Sequence, residues 1–250
     1  MFQTLRYNLD NPGSKLQWWQ ITGKKKAKKM IEKSLKDGRR ILEFLNSLNV
    51  PVYILPGNWD FTGNKSSDWN FLRKDYYHSY LIKSLKNIVD CHHKKIKIKG
   101  YEFIGHGIIS GPEFPQNKKD FPKDKKELVK KRKEYVRQYK KVDELFKKAK
   151  SPVIFLSHNV PYNTPLDKIV NLSSPRNGQH FGSIIARKMI EKYNPLVCIG
   201  GHMHEHFGKC KLSKTTVINA GFGSYVNTLL ELEGNKIKKL KFYNNELVNY

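Results

Sequence analysis

The spacing of apolar residues predicts three helices in this chain. Apolar side chains recur every three or four positions over 26–48 and again over 124–150, which is the period of a helix with one buried face. A third helix is expected to run from Ser183, a favoured N-cap residue, to about Tyr193. The first and third helices are each followed directly by a short apolar run, which indicates αβ units.

Short apolar runs that end in glycine, proline or polar residues predict the strands. Alternating residues around the Lys99–Gly100 turn indicate a β-hairpin. The other expected strands are 52–55, 153–156, 196–199, 215–220, 225–233 and 236–243. The opening segment to Gly23 has no clean periodicity and is expected to be irregular. These elements predict an α/β fold, and without a Pro/Gly/Ser linker we expect one domain over 1–250.

Basic residues dominate the charged composition. The chain has 47 Lys and Arg against 22 Asp and Glu, a formal net charge of +25, which suits phosphate-bearing partners and nonspecific binding of RNA or DNA. Lysine is spread over the whole chain, however, so a general compositional bias is the favoured interpretation. The lysines over 124–150 form either a nucleic-acid face or a solvated surface around a packed Tyr/Val/Phe stripe. We favour the solvated surface, because exposed aromatic residues and arginines do not alternate with the lysines.

Cysteine usage and hydropathy bear on the compartment. Cys91, Cys198 and Cys210 form no CxxC pair, and three cysteines in a chain of this length argue against a disulfide framework. The first thirty residues have no apolar signal-peptide core, and no apolar run approaches the roughly 18 residues needed to cross a bilayer. We therefore expect a soluble cytoplasmic protein with no membrane partner.

The candidate chemistry lies where three expected strands end. Asn58, His158 and the pair His202 and His204 each follow a short apolar run. Neutral imidazole and carboxamide oxygen bind transition metals such as Mn, Fe, Co or Zn. If the three strands share one sheet, these four side chains meet at its edge and form a metal site.

Four segments resemble the later motifs of the calcineurin-like metallophosphoesterases in order and spacing. They are Gly57–Asp60, Ser157–His158, Gly201–His204 and Asn219–Gly221. In that family the motifs are Gly-Asn-His-Asp/Glu, a lone metal-binding His, and Gly-His-x-His. The resemblance covers roughly residues 50–233, and it implies a sandwich of two mixed β-sheets flanked by helices.

The resemblance also implies a function and a set of ligands. It makes Asn58, His158 and His202 ligands of one divalent transition metal and His204 a ligand of a second. The implied reaction is hydrolysis of a phosphomonoester or phosphodiester by in-line attack of a metal-held hydroxide, with two metals about 3.5–4 Å apart. Asn58 then counts among the catalytic residues. Asp60 is expected either to fix the metal-binding loop or to act only as a turn residue.

Two motifs of the family are missing from this chain. Asp-x-His, and Gly-Asp with its metal-bridging carboxylate, should precede Asn58, but the first 50 residues have no histidine and only the aspartates Asp10 and Asp37. We therefore expect that at most one metal is held tightly and that N-terminal strands of the sheet are missing. A preceding segment or a separate chain is expected to supply both. Asp90–His92 matches Asp-x-His, but it stands in the wrong order and is interpreted as a coincidence.

The histidine that protonates the leaving group in many family members is replaced here by Trp59. His180 is the candidate substitute, because it lies just before the helix at Ser183, where free N–H groups and the helix dipole favour an anion. The alternative is that His180 belongs to a surface loop that only caps the helix. His106, at the end of the hairpin, is a second histidine that could face the site.

Two other functions remain open from the sequence. The positive charge suits a nuclease of the same family, and the missing motifs suit a noncatalytic relic that binds a ligand at an incomplete metal site. Turnover of bis(p-nitrophenyl) phosphate with Mn²⁺ would separate the enzymes from the relic. Salt-sensitive cleavage of DNA or RNA would then identify a nuclease.

Overall fold

The computed structural model describes residues 16–244 except 66, 173, 175 and 224. The chain divides into two compact units, Met1–Val89 and Asp90–Tyr250. The expectation of one domain over 1–250 stays a prediction, and residues 1–15 of the segment expected to be irregular lie outside the described range. Within that range, no helix combines the length and apolar composition needed to span a lipid bilayer.

The first unit is built around one long helix. Its apolar stripe packs Ile31 and Leu35 against Tyr77 and Leu81 in a small buried core, which confirms the helix expected over 26–48. The elements are α1 (Trp18–Thr22), α2 (Lys24–Ser47), β1 (Val52–Ile54), α3 (Asn70–Arg73), a π-helical turn (Tyr77–Leu81) and β2 (Ile88–Asp90). Strand β2 pairs with β1 and lies at the boundary between the two units.

The segment before Gly23 is not irregular throughout. Helix α1 begins where the Gln17 N–H donates to Gln20 Oε1 at 2.7 Å, and Trp19 is buried against Trp69 with ring centroids 5.3 Å apart. The expectation of irregular structure is therefore wrong for residues 18–22. The helix is too short to show periodicity, and a ring from a distant part of the chain stabilises it.

The second unit contains a six-stranded mixed sheet in the order β3-β4-β5-β6-β8-β7. Strands β4, β5, β6 and β8 are parallel, and the edge strands β3 and β7 are antiparallel to their neighbours. The strands are β3 (Lys95–Ile98), β4 (Tyr101–His106), β5 (Val153–Asn159), β6 (Val197–Gly201), β7 (Gly208–Leu212) and β8 (Thr215–Asn219). The other elements are 3₁₀ turns at Lys118–Asp120 and Pro165–Asp167, helices α4 (Lys125–Lys147) and α5 (Ile184–Tyr193), and the hairpin of β9 (Val226–Glu233) and β10 (Lys236–Asn244).

Successive residues of the parallel strands point into two different apolar layers, because side chains alternate across a strand. Phe155 belongs to the core formed with α4 and α5, whereas its neighbour Ile154 belongs to the layer formed with the β9–β10 hairpin. The expected α/β class is confirmed, since a mixed sheet is flanked by helices. The second layer of this sandwich is the two-stranded hairpin.

Strand β7 is not evident from the sequence pattern. Lys209 and Lys211 are exposed, and the intervening Cys210 is only half-buried. Charged residues are a common feature of edge strands, because they discourage pairing with another chain. The same feature leaves too few apolar positions to indicate a strand.

Four parallel strands end at one edge of the sheet. Strand β4 ends at His106, β5 at Asn159, β6 at Gly201 and β8 at Asn219. In open α/β sheets, ligands bind in the crevice outside the carboxyl ends of the strands. The segments that follow these strands therefore lie where a functional site is expected.

A buried carboxylate joins β4 to β5 at their opposite ends. The Glu102 side chain is 6% exposed and accepts from Lys95 Nζ at 2.6 Å and from the N–H groups of Lys150 at 2.6 Å and Ser151 at 3.0 Å. Burial raises the pKa of this carboxyl, but the hydrogen bonds and the Lys95 charge together outweigh burial and lower the pKa to about 2.

We expect Glu102→Gln to lower the free energy of unfolding by about 1–3 kcal/mol, because buried donors lose a charged acceptor. The folded-state pKa of Glu102 lies below the usual value of 4.5, so its stabilisation is complete above that value and is lost as the pH falls to about 2. Urea denaturation of both proteins across this pH range measures the effect. The free energy of unfolding of the variant should fall less with decreasing pH than that of the wild type, because the variant lacks the Glu102 carboxylate. Wild-type stability of the variant at neutral pH would contradict the assignment.

Candidate metal centre

Two histidines meet at the carboxyl edge of the sheet. His158 lies near the end of β5 and His202 follows β6, and these adjacent parallel strands place Asn159 opposite Gly201. The two imidazole rings are 5.0 Å apart between centroids, with planes inclined by 65°. The structure thus brings together two of the three residues expected to hold one metal.

Local backbone features set the positions of these histidines. The β5–β6 register shifts between Leu156 and Asn159, and such irregularities redirect side chains near functional sites. Gly200 lies against Val160, where an added Cβ would stand 3.0 Å from the valine side chain. His202 has a left-handed φ of 68°, a conformation that is uncommon for a residue with a Cβ and that concentrates at functional sites.

Both imidazoles are kept neutral by their surroundings. Burial lowers the pKa of His158 to about 4, with further contributions from His202 and His204. Burial also lowers the pKa of His202, although the contact with Ser110 opposes this. His202 Nε2 lies 3.2 Å from the Ser110 carbonyl oxygen, which can only accept, so Nε2 carries the proton and Nδ1 has the lone pair. Neutral imidazole is the form that binds a metal.

His204 lies beside this pair and stacks on an aromatic ring. Its imidazole and the Phe222 ring are 4.5 Å apart between centroids, with planes inclined by 7°. Its electrostatic interaction with the paired histidines contributes to the lowered pKa of both. Asn219 anchors the turn that carries His204, because its Nδ2 donates to the carbonyl oxygens of Met203 at 2.9 Å and of His206.

Asn58 and Asp60 belong to the first unit. They follow β1 in a loop where the Gly57 N–H donates to Asp60 Oδ2 at 2.6 Å. Burial raises the pKa of Asp60, and the bond to Gly57 partly opposes this. Asp60 therefore fixes its own turn, whereas the convergence of Asn58 with the histidines stays a prediction.

The paired histidines fit part of a metal shell. Two neutral imidazoles at one sheet edge are suitable donors for a divalent transition metal. Among the described residues, no three His, Cys, Asp or Glu side chains form a group that could hold the ion.

His180 is held by a buried carboxylate. Its Nδ1 lies 2.7 Å from Asp167 Oδ1, and 31% of the His180 side chain is exposed. Both residues lie in the connection between β5 and α5. Asn159 ties this connection to the end of β5 by donating to the Phe181 carbonyl oxygen at 2.9 Å. The segment that carries His180 is thus fixed to the strand that carries His158.

An internal anion fills the N-terminus of α5. Ser183 caps the helix by accepting from the Ala186 N–H at 2.9 Å, which confirms the expected cap. Glu113, however, accepts from the N–H groups of Ile184 at 2.8 Å and Ile185 at 3.3 Å. The expectation that these N–H groups are free is therefore wrong, because the carboxylate of Glu113 occupies them and offsets the positive end of the helix.

Glu113 also contacts the buried end of β4. Its Oε1 lies 3.2 Å from His106 Nε2 and accepts from the Ser183 hydroxyl at 2.5 Å. On the other side of the ring, His106 Nδ1 lies 3.3 Å from His93 Nε2. His106 is wholly buried, so it supports the structure between these partners and does not present its ring to solvent.

One loop, Gly107–Glu113, touches both histidine-bearing segments. The Ser110 carbonyl oxygen contacts His202. Gly111 lies against Phe181, where an added Cβ would stand 2.5 Å from the ring. Since Phe181 follows His180 in the chain, the loop contacts both the segment of His202 and the segment of His180.

Two residues of this arrangement were not singled out by sequence analysis. Glu113 bonds to Ser183, 70 positions away, and no local pattern indicates such a contact. Asp167 has a recognisable signal, because Thr164 and Asp167 have the spacing of a capping box. The Thr164 N–H indeed donates to Asp167 Oδ1 at 2.8 Å.

Comparisons with known proteins agree with the geometry. A family model described as calcineurin-like phosphoesterase matches residues 8–206. One crystal structure, 18% identical in sequence, gives a TM-score of 0.56 and covers 89% of this chain and 76% of its own. The crystal structure of TT1561 of Thermus thermophilus, 20% identical, gives a TM-score of 0.51 and covers 84% of this chain and 79% of its own. At these identities the likeness shows the fold alone, and among curated proteins there is no significant match.

Replacing Glu113 with Ala should lower the free energy of unfolding by about 1–3 kcal/mol, because the start of α5 loses its buried acceptor. Urea denaturation measures this change. Glu127→Ala is the matched control, since Glu127 is 55% exposed and pairs only at i,i+4 with Lys131; its effect should not exceed about 0.5 kcal/mol. Equal effects of the two substitutions would contradict the role of Glu113.

Proposed function

Because the chain belongs to the calcineurin-like phosphoesterase family, we propose that it hydrolyses a phosphomonoester or phosphodiester with a divalent metal ion. Members of this family are phosphoesterases that generally bind divalent metals. The observation that best supports the proposal for this chain is the pair His158 and His202. The centroids of these two neutral imidazoles lie 5.0 Å apart at the carboxyl edge of the sheet.

In this proposal one ion of Mn, Fe, Co or Zn is held by Asn58, His158 and His202. His204 is a ligand of a second metal position. The bound metal supplies a Lewis acid for the phosphoryl oxygens and a hydroxide at neutral pH. The paired histidines contribute by staying neutral and by being fixed on adjacent strands. We expect at most one ion to be held tightly, because His204 alone is a weak binding site and no Gly-Asp motif with a bridging carboxylate precedes Asn58 in the sequence.

We further propose that His180 protonates the leaving oxygen. Trp59 occupies the position of the family histidine that performs this step, and an indole ring is not an acid at neutral pH. The His180 side chain is 31% exposed, so it is accessible to a substrate. Its segment is bonded through Asn159 to the strand of His158, which supports a place near the metal.

The basic surface gives no separate support for a nuclease. Tyr135 and Tyr139 of α4 pack against the core of the second unit, so the lysines of this helix surround a packed stripe. This arrangement fits a solvated helix face. Nucleic acid is therefore kept as an outcome of the activity test.

A cytoplasmic location is part of the proposal. Cys91 and Cys198 are buried, and Cys210 is half-buried. Burial raises the pKa of the Cys198 and Cys210 thiols. Thiols of this unreactive kind suit a reducing compartment.

Metal content tests the paired histidines. After dialysis against Mn²⁺, the protein should retain at most one ion per chain, as counted by plasma mass spectrometry. His158→Ala and His202→Ala should each weaken binding by at least about 10²-fold, since even residues that only support a ligand contribute about 10–100-fold. His78→Ala is the control, because His78 is exposed, pairs with Asp75 and is not among the proposed ligands; its metal content should be unchanged.

Turnover of bis(p-nitrophenyl) phosphate with Mn²⁺ distinguishes the candidate functions. Weak turnover that both histidine substitutions abolish would support the proposal. Two tightly bound ions with full turnover would contradict the one-ion expectation, and metal binding without turnover would indicate a noncatalytic protein. Cleavage of DNA or RNA that falls with rising salt would identify a nuclease. An N-terminally extended chain, assayed in parallel, tests whether a preceding segment supplies the missing motifs.

His180→Asn should lower kcat by at least about 10²-fold with unchanged metal content, because loss of a general acid costs about 10²–10⁴-fold. Asparagine retains a side-chain N–H donor for Asp167 but has no group that can transfer a proton. Steady-state kinetics and metal analysis measure the two effects, with His78→Ala again as the control. Unchanged kcat would show that the role assigned to His180 is wrong.

A further inference from the structure

The segment that carries His180 is organised around one buried carboxylate. Asp167 is fully buried, and each of its oxygens has two partners. Oδ1 accepts from the Thr164 N–H at 2.8 Å and lies 2.7 Å from His180 Nδ1. Oδ2 accepts from the N–H groups of Asn163 at 2.9 Å and Gly182 at 2.8 Å. The carboxylate only accepts, so Nδ1 of His180 carries a proton.

We propose that Asp167 is a positioning residue for His180. It holds one proton on Nδ1 and thereby assigns Nε2 as the atom that transfers a proton to the leaving oxygen. This inference rests on the proposed function of His180 and deepens it. Nε2 of the imidazolium gives its proton to the ester oxygen as the P–O bond breaks, while Nδ1 keeps its proton against Asp167. The ring is left neutral, and water restores the proton on Nε2.

An amide at position 167 would change the tautomer of His180. Asparagine has one acceptor oxygen and one donor nitrogen. If that nitrogen replaced Oδ2, it would face two backbone N–H groups, those of Asn163 and Gly182. If it replaced Oδ1, it would face one backbone N–H and His180. Backbone N–H groups only donate, whereas a neutral imidazole nitrogen can also accept. The second orientation therefore costs less and moves the ring proton to Nε2.

The first test is the tautomer of His180 in the full 250-residue chain. Long-range ¹H–¹⁵N correlation of ¹⁵N-histidine-labelled protein, at a pH where the ring is neutral, distinguishes the two forms, and His180→Asn assigns the signal. We expect Nδ1–H in the wild type and Nε2–H in Asp167→Asn. Thr164→Val is the matched control, because it leaves the carboxylate in place and removes a hydroxyl of the same loop, which donates to the Pro161 carbonyl oxygen at 3.1 Å and accepts from the Asp167 N–H. Its His180 should stay Nδ1–H.

The spectra decide the positioning role without any need for turnover. Nε2–H in the wild type, or an unchanged tautomer in folded Asp167→Asn, would overturn the proposal. If Asp167→Asn does not fold, the wild-type spectrum alone decides, since the proposal permits only the Nδ1–H form there. A change of tautomer in Thr164→Val would also overturn it, because loop packing and not the carboxylate would then set the ring.

The second test separates positioning from loop stability. It compares turnover of a p-nitrophenyl and a phenyl phosphodiester with Mn²⁺, because nitrophenolate leaves readily without protonation and phenolate does not. Asp167→Asn should lower kcat on the phenyl ester by at least about 10²-fold and on the nitrophenyl ester much less. Equal losses on both would overturn the proposal. No turnover of either ester by the wild type would contradict the proposed function, and the tautomer would still decide the role of Asp167.

Discussion

The carboxylate of Glu113 is the contact on which the histidine-bearing part of the second unit depends. It receives the first N–H groups of α5, the hydroxyl of Ser183 and the ring of His106 at the end of β4. A buried carboxylate without donors is costly, and a helix terminus without an acceptor leaves its N–H groups unpaired. The buried carboxylate therefore needs these donors, and the helix terminus needs this acceptor. Because the ring of His106 at the end of β4 contacts the same carboxylate, β4 and α5 are held in one arrangement.

Burial and metal affinity act in the same direction at the paired histidines. Burial lowers the pKa of both His158 and His202, so protons compete less with a metal ion for the ring nitrogens. The left-handed backbone at His202 adds strain that the surrounding strands must hold. The edge of the sheet thus presents neutral ring nitrogens, the form of imidazole that binds metal ions.

The sequence predicts those features that depend on local pattern. Helices α2 and α5 follow from periodicity and from the Ser183 cap, and the meeting of His158 with His202 follows because neighbouring parallel strands end together. Helix α1 could not be predicted, since it depends on the distant contact of Trp19 with Trp69. The expectation of free N–H groups at the start of α5 was wrong for a similar reason. The sequence of the helix does not show that Glu113, from a distant part of the chain, accepts hydrogen bonds from them. The spacing of Thr164 and Asp167 is visible, but the bond to His180 requires the fold.

The loop Gly107–Glu113 links the segment of His202 to the segment of His180. Its ends are held by β4 and by Glu113, and between them Ser110 contacts His202 while Gly111 lies against Phe181, the neighbour of His180. A side chain at Gly111 would meet the Phe181 ring, which packs against the main apolar core, so the loop cannot change at this point without moving that ring. The spacing of the two histidine-bearing segments is therefore coupled to the packing of the core.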